Sequence, residues 1–204
     1  MKKFKKIGVI TLIVCVVGFV ASQLYTNHLS TDIESYTYEV VKKYDRFEIR
    51  LYEEALFSYV TMPYDSYTES STRGFSVLAG YIFGGNEESE EIAMTSPVEM
   101  EMNDSITMKF MVPKKYTIED VPKPDNSSIA FKKEPKKYLA AIRFGGFADD
   151  AKIQHHIELL KELLKNKGIK HQNNFSFLGY NPPFQVINRT NEIVVEIDKD
   201  ALGY

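Results

Sequence analysis

Residues 66–83 and 150–167 constrain the fold most, because each reads as an amphipathic helix set among strands in the same order. In the first, Phe75, Leu78, Ala79 and Ile82 fall at i, i+3, i+4 and i+7, one apolar stripe of a 3.6-residue period. Gly84-Gly85-Asn86 then stops it. In the second, Ile153, Ile157, Leu160 and Leu164 make the stripe and Asp149 or Asp150 caps the start. Gly168 ends it, with Lys165 and Lys167 at the negative end of its dipole. Strands are expected before each helix, at 36–41, 47–52 and 55–62, and at 129–133 and 138–144. More are expected after each, at 92–102 and 106–112, and at 175–179 and 192–197. In 47–52, Phe47, Ile49 and Leu51 share one face and Glu48, Arg50 and Tyr52 the other. Residues 113–128, with Pro113, Pro122 and Pro124, form a surface connection between two halves. The expected class is α+β: a mostly antiparallel sheet curled toward a distorted barrel, flanked by two helices and internally duplicated. Phe83-Gly84-Gly85 and Phe144-Gly145-Gly146 are expected to mark helix–strand corners in both halves.

The N-terminus has a different character. Lys2, Lys3, Lys5 and Lys6 precede an uncharged run from residue 7 to 25. Nineteen helical residues span roughly 28 Å, close to the ~30 Å hydrocarbon core. Lysines at that end favour the cytoplasmic side, which puts the remainder outside. A single-pass transmembrane helix is expected over 1–25, followed by a polar spacer at 26–35, a domain at 36–198 and a tail at 199–204. A signal segment cleaved near Val20-Ala21-Ser22 is the alternative, giving a secreted domain. Cys15, the single cysteine, lies in the apolar run, so the chain cannot close a disulfide or build a cysteine metal site by itself.

Composition narrows function by exclusion. The formal charge is −3, and setting aside the four leader lysines leaves −7 for the remainder, which is no footprint for nucleic acid. Ser70, Ser71, Ser76 and Ser96 lack a nucleophile elbow. Gly84-Gly85 follows a helix, whereas a phosphate-cradling loop precedes one. Glu87, Glu88, Glu90 and Glu91 cluster without calcium-loop spacing and read as a solvated turn. Thirteen Tyr and thirteen Phe supply an aromatic core or pocket. The pattern points to binding before catalysis, with no catalytic residues expected.

Several stretches taken in order resemble the SOUL/haem-binding family. They are Tyr38-Glu39-Val40-Val41-Lys42-Lys43 with Phe47-Glu48-Ile49-Arg50, then Leu78-Ala79-Gly80-Tyr81-Ile82-Phe83-Gly84-Gly85-Asn86. Ile92-Ala93-Met94-Thr95-Ser96-Pro97-Val98, Phe110-Met111-Val112-Pro113, Phe144-Gly145-Gly146 and Leu178-Gly179-Tyr180-Asn181-Pro182-Pro183-Phe184 follow, and Arg189-Thr190-Asn191-Glu192-Ile193-Val194 closes the set. Ser96, where many members have alanine, is a departure. The resemblance implies an antiparallel barrel with two helices, related to gyrase-inhibitor-like effector-binding domains. It also implies haem or another tetrapyrrole as ligand, held in an apolar cleft along the first helix.

A tetrapyrrole needs a broad apolar slot, aromatic walls and cations for its propionates. The resemblance places Arg73 at a propionate, Val77 and Tyr81 as one wall, and Tyr180 and Phe184 as the opposing edge. No metal ligand is assigned. His28, His155, His156 and His171 are the histidines, and Met94 and Met100 the thioethers in reach of the same strands. Two other functions fit the same module. One is a tetrapyrrole-modifying enzyme such as a dechelatase, using Tyr81, Tyr180 or His156. The other is a generic amphiphile binder that recognises lipophilic cations with a buried carboxylate.

Overall fold

The computed structural model describes residues 11, 12, 14–18, 22, 33–63 and 66–198. Nine strands form one sheet: β1 (Tyr38–Lys43), β2 (Glu48–Tyr52), β3 (Ala55–Pro63), β4 (Val98–Met102), β5 (Ser105–Met111), β6 (Ala130–Glu134), β7 (Lys137–Gly145), β8 (His171–Gly179) and β9 (Thr190–Ile197). Two helices follow β3 and β7: α1 (Tyr67–Ile82) and α2 (Asp150–Asn166). The spatial order is β1-β2-β7-β9-β8-β4-β5-β3-β6, and every ladder is antiparallel. The sheet curls but stays open, with β1 and β6 as free edges, so the expected barrel is a half-barrel.

The duplication is present in the topology. Five-residue β2 and nine-residue β3 recur as five-residue β6 and nine-residue β7. Each long strand leads into a helix and then a hairpin-like pair, β4–β5 or β8–β9. The halves meet where β4 pairs with β8, Met100 opposite Phe177. They also exchange their short strands: β2 lies on β7, and β6 on β3. The glycine pairs are not equivalent, however. Gly84 follows a helix, whereas Gly145 ends β7 and Gly146 leads into the next helix. Gly84 and Gly146 each adopt positive φ, which is why glycine serves at both.

Local chemistry sets the helix ends. The Ser66 hydroxyl accepts from the Glu69 amide and Asp149 accepts from the Lys152 amide, so each helix starts on a side-chain cap. The α2 stripe is buried as expected, at Ile153, Ile157, Leu160 and Leu164. In α1, Leu78, Ala79 and Ile82 are buried with Gly74 and Tyr81, while Phe75 is half-buried against the same core. Gly74 sits where an added Cβ would lie 2.7 Å from the Met62 methyl and 3.1 Å from Met108, so the helix rides close on the sheet. Strand β4 starts only at Val98, because residues 92–97 run irregularly and the Thr95 hydroxyl donates to the Met111 carbonyl. Strand β8 begins four residues earlier than expected, at His171, through polar Gln172-Asn173-Asn174 that carry no alternation.

Both faces of the curled sheet are buried. The helix-side face holds the main core, including Phe47, Ile49, Met100, Met108, Phe175, Phe177 and Ile193. The concave face holds a second, aromatic cluster of Tyr36, Tyr52, Phe57, Met111, Leu139, Ala141, Leu178 and Val194.

Among the described residues no helix is long and apolar enough to cross a membrane. Most of the 1–25 segment expected to do so lies outside the described residues, as do most of the 26–35 spacer, including His28, and the 199–204 tail. The parts described, 11, 12, 14–18 and 22, are helical, and Leu12, Val14, Val16 and Val17 there are all more than half exposed.

Candidate functional site

The concave face carries an ion network. Glu192 is fully buried and receives a two-pronged Arg50 fork at 2.7 and 3.0 Å, Arg143 Nε at 2.9 Å and the Tyr180 hydroxyl at 2.8 Å. Burial pushes its carboxyl pKa up, but the Arg50 fork, with Tyr180 and Arg143, more than reverses this and holds it low. Lys109, also buried, reaches Glu134 at 2.8 Å, Glu101 at 3.1 Å and Glu99 at 3.3 Å. Burial raises the Glu134 pKa, and Lys109 and Lys137 overcome that, bringing it down to about 2. Each buried carboxylate on this face therefore already holds a cation of the chain itself.

The helix-side surface is organised differently. The N-termini of α1 and α2 meet: the Tyr67 amide donates to Asp150 at 2.8 Å, and the Tyr67 ring lies edge-on to Phe177, 5.1 Å between centroids. The 181–189 loop between β8 and β9 folds toward this junction. Arg189 fixes it, donating to the carbonyls of Pro182 and Gln185 at 2.7 Å each and of Asn181 at 3.4 Å. Its guanidinium also stacks over Phe147 at 4.5 Å and acts electrostatically on Tyr67. Burial lowers the Arg189 pKa, the expected direction for a desolvated cation. Around it Phe184 is 65% exposed, Phe147 50%, Val186 48% and Ile187 46%, an apolar rim at the mouth of the junction.

The expected ligand residues divide across the sheet. Arg73 is exposed on α1 and Val77 is half-buried one turn further on. Tyr81 is only 2% exposed, with its hydroxyl donating to the Pro122 carbonyl at 2.7 Å and its ring edge-on to Phe131. Burial raises its pKa. Phe184 belongs to the exposed rim. Tyr180 instead turns to the concave cluster and the Glu192 network. Arg73 and Val77 thus lie on α1 and Phe184 on the exposed 181–189 loop, while Tyr180 faces away and Tyr81 is enclosed.

The other candidates resolve into structure. Met100 is 1% exposed in the helix-side core and Met94 packs against it. His156 stacks on Phe144 at 4.0 Å, and its Nδ1 donates to the Lys152 carbonyl at 2.7 Å. His155 is exposed, and His171 Nδ1 donates to the Gln172 carbonyl at 2.6 Å. Glu90 accepts from the Tyr116 hydroxyl and pairs with Lys115, while Glu87, Glu88 and Glu91 are exposed. Ser71 and Ser76 donate to backbone carbonyls one turn back. Among the described residues no three His, Cys, Asp or Glu converge as a metal site. Arg189 was missed as a site residue in the sequence, because its partners are the backbone carbonyls of the preceding loop.

An open, curled antiparallel sheet with two helices on one face and a swapped strand from each half defines a duplicated α+β module. The profile of the SOUL heme-binding protein family matches residues 33–196, and the chain belongs to that family. Heme-binding protein 2 of Mus musculus is 27% identical over 156 residues, covering 72% of this chain and 76% of that protein. Heme-binding protein 1 of Xenopus laevis is 26% identical over 179 residues, covering 82% and 94% respectively. Among solved structures, the EcmrR C-terminal domain overlays with a TM-score of 0.59 at 10% identity, over 79% of this chain and 98% of that one. A hydrolase from Listeria innocua overlays with a TM-score of 0.55 at 9% identity, over 75% and 92%. Likeness at such identity concerns the fold alone.

Proposed function

We propose that this chain binds haem or a related tetrapyrrole on the helix side of the sheet and holds it beside a membrane without altering it chemically. The observation that carries this reading is the family match spanning almost the whole folded domain, with relatives named as heme-binding proteins. The exposed aromatic and branched side chains of the rim suit a macrocycle, and the exposed Arg73 guanidinium on α1 suits a carboxylate. Arg73 takes a propionate, Val77 and Phe184 contact the ring, and Arg189 positions the loop. Tyr81 supports α1 from beneath, and Tyr180 braces the sheet from behind. A bound haem would supply iron and a Soret chromophore; the chain supplies packing and charge.

Binding is favoured over catalysis by how the polar groups are used. Tyr81 and Tyr180, two of the three candidate proton donors, are already committed to Pro122 and Glu192. A lipophilic-cation receptor is disfavoured because Glu99, Glu134 and Glu192 already face Lys109 or Arg50. Membrane attachment is supported by the lysine leader and by the exposed apolar side chains of the described N-terminal helical residues. Arg73→Ala is the test of the site. It weakens binding of a porphyrin with free propionates about tenfold and leaves its diester unchanged; equal loss for both refutes the propionate role. Haemin recovered intact after prolonged incubation supports binding alone, whereas iron release or ring cleavage refutes it.

A further inference from the structure

We propose that Tyr36 is a built-in plug in a second ligand slot, on the concave face, and that a neutral planar aromatic molecule carrying a hydrogen-bond donor displaces it. The slot lies across the sheet from the helices and is independent of the tetrapyrrole site.

Tyr36 sits on a strap outside the sheet. Residues 34–37 precede β1 and belong to no strand. The Ser96 amide donates to the Glu34 carbonyl and the Tyr36 amide to the Ser96 carbonyl, each at 2.9 Å. The Glu53 amide donates to the Thr37 carbonyl at 3.0 Å. Ser96 leads into β4 and Glu53 follows β2, strands that are four places apart in the sheet, so the strap spans the hollow of the curl. Lys114 closes it, its amide on the Glu34 carboxylate and its ammonium on the Thr37 hydroxyl, each at 3.0 Å. These anchors are irregular stretches, with no ladder that must break for the strap to lift.

The ring suits the slot and the hydroxyl does not. The Tyr36 ring lies 4.6 Å from Tyr52 and 5.2 Å edge-on from Phe57, and the residue is 5% exposed. Its hydroxyl is buried without a hydrogen-bond partner among the described residues. Burial first, then Glu134 and Glu99, push its pKa up, so this place rejects an anion. Both carboxylates already hold Lys109, so they call for a neutral donor and not a second cation. An orphaned buried hydroxyl disfavours the plugged state, because the same group is hydrated once the strap lifts. Beside the plug is a cavity of about 350 Å³, walled by Tyr36 and Thr37 with Leu56 and Met111. Once the ring leaves, slot and cavity become one space with aromatic and apolar walls, the kind of lining small ligands use.

Indole, a neutral ring with one N–H donor, is the probe, titrated into the detergent-solubilised full chain against a detergent blank. Hydrogen exchange by mass spectrometry reads the strap. The expected result is saturable binding, with exchange of the 34–37 amides accelerating in step. Benzofuran, which lacks the donor, binds more weakly, and the anion indole-3-acetate does not bind. Tyr36→Ala removes the competing ring and binds indole about tenfold more tightly than the wild type. Tyr36→Phe keeps the ring without the orphaned hydroxyl, seats more firmly, and binds about fivefold more weakly. Folded Tyr36→Ala that takes up no indole overturns the slot. Saturable binding to the wild type with unchanged strap exchange overturns the plug, as does Tyr36→Phe binding as tightly as the wild type, a comparison that needs no truncated side chain.

Discussion

Replacing Glu134 by glutamine tests whether the concave ion network contributes to stability as its geometry demands. Glu134 is 3% exposed and accepts from Lys109 at 2.8 Å and from Lys137. Its pKa falls from an ordinary 4.5 to about 2 on folding. The folded pKa is depressed, so the contribution is complete above pH 4.5 and disappears as pH falls toward 2. A difference of that size corresponds to about 3 kcal/mol. Glu134→Gln leaves Lys109 with Glu99 and Glu101, so the lysine is not stranded and the loss stays near that figure. Urea unfolding of the detergent-solubilised full chain at pH 7 should show the variant about 3 kcal/mol less stable. At pH 2.5 the two proteins should come within about 1 kcal/mol of each other. A gap that stays constant from pH 7 to pH 2.5 would refute the assignment of that stability to ionised Glu134.

Other residues make separable predictions. Tyr81→Phe removes a buried hydrogen bond to Pro122 and should lower unfolding stability by about 1 to 2 kcal/mol. Haemin affinity should be unchanged, and a loss beyond about threefold would put Tyr81 in the ligand contact after all. Arg189→Ala releases three loop carbonyls, so protease cleavage between Asn181 and Arg189 should accelerate and the haemin Kd rise about tenfold, roughly 1.4 kcal/mol. Arg189→Lys should not restore either, because an ammonium group cannot span the same three acceptors.

The periodic elements were legible in the sequence because their burial is one-sided. The α2 stripe is the clearest case: every residue assigned to it is buried. Strand β2 shows where that logic stops. Its alternation was correct, yet Arg50 and Tyr52, on the more polar face, are 2% and 0% exposed. A curled sheet buries both faces, and only long-range pairing reveals that Arg50 reaches Glu192. The duplication was visible as a pattern, but its strand exchange was not, since nothing local tells β2 to pair with β7. The candidate site divided for a similar reason. Tyr180 and Phe184 are four residues apart, and the turn between them carries one to the concave cluster and the other to the exposed rim. The loop's anchor, Arg189, acts through backbone carbonyls, which leave no mark in a side-chain pattern.

The most direct measurement is a haemin titration of the full-length protein in detergent, followed in the Soret band against a detergent blank. Saturation at one equivalent, with competition by metal-free porphyrin, is the predicted result. Absorbance that rises without saturating for haemin, together with no binding of metal-free porphyrin, would contradict tetrapyrrole binding by this chain.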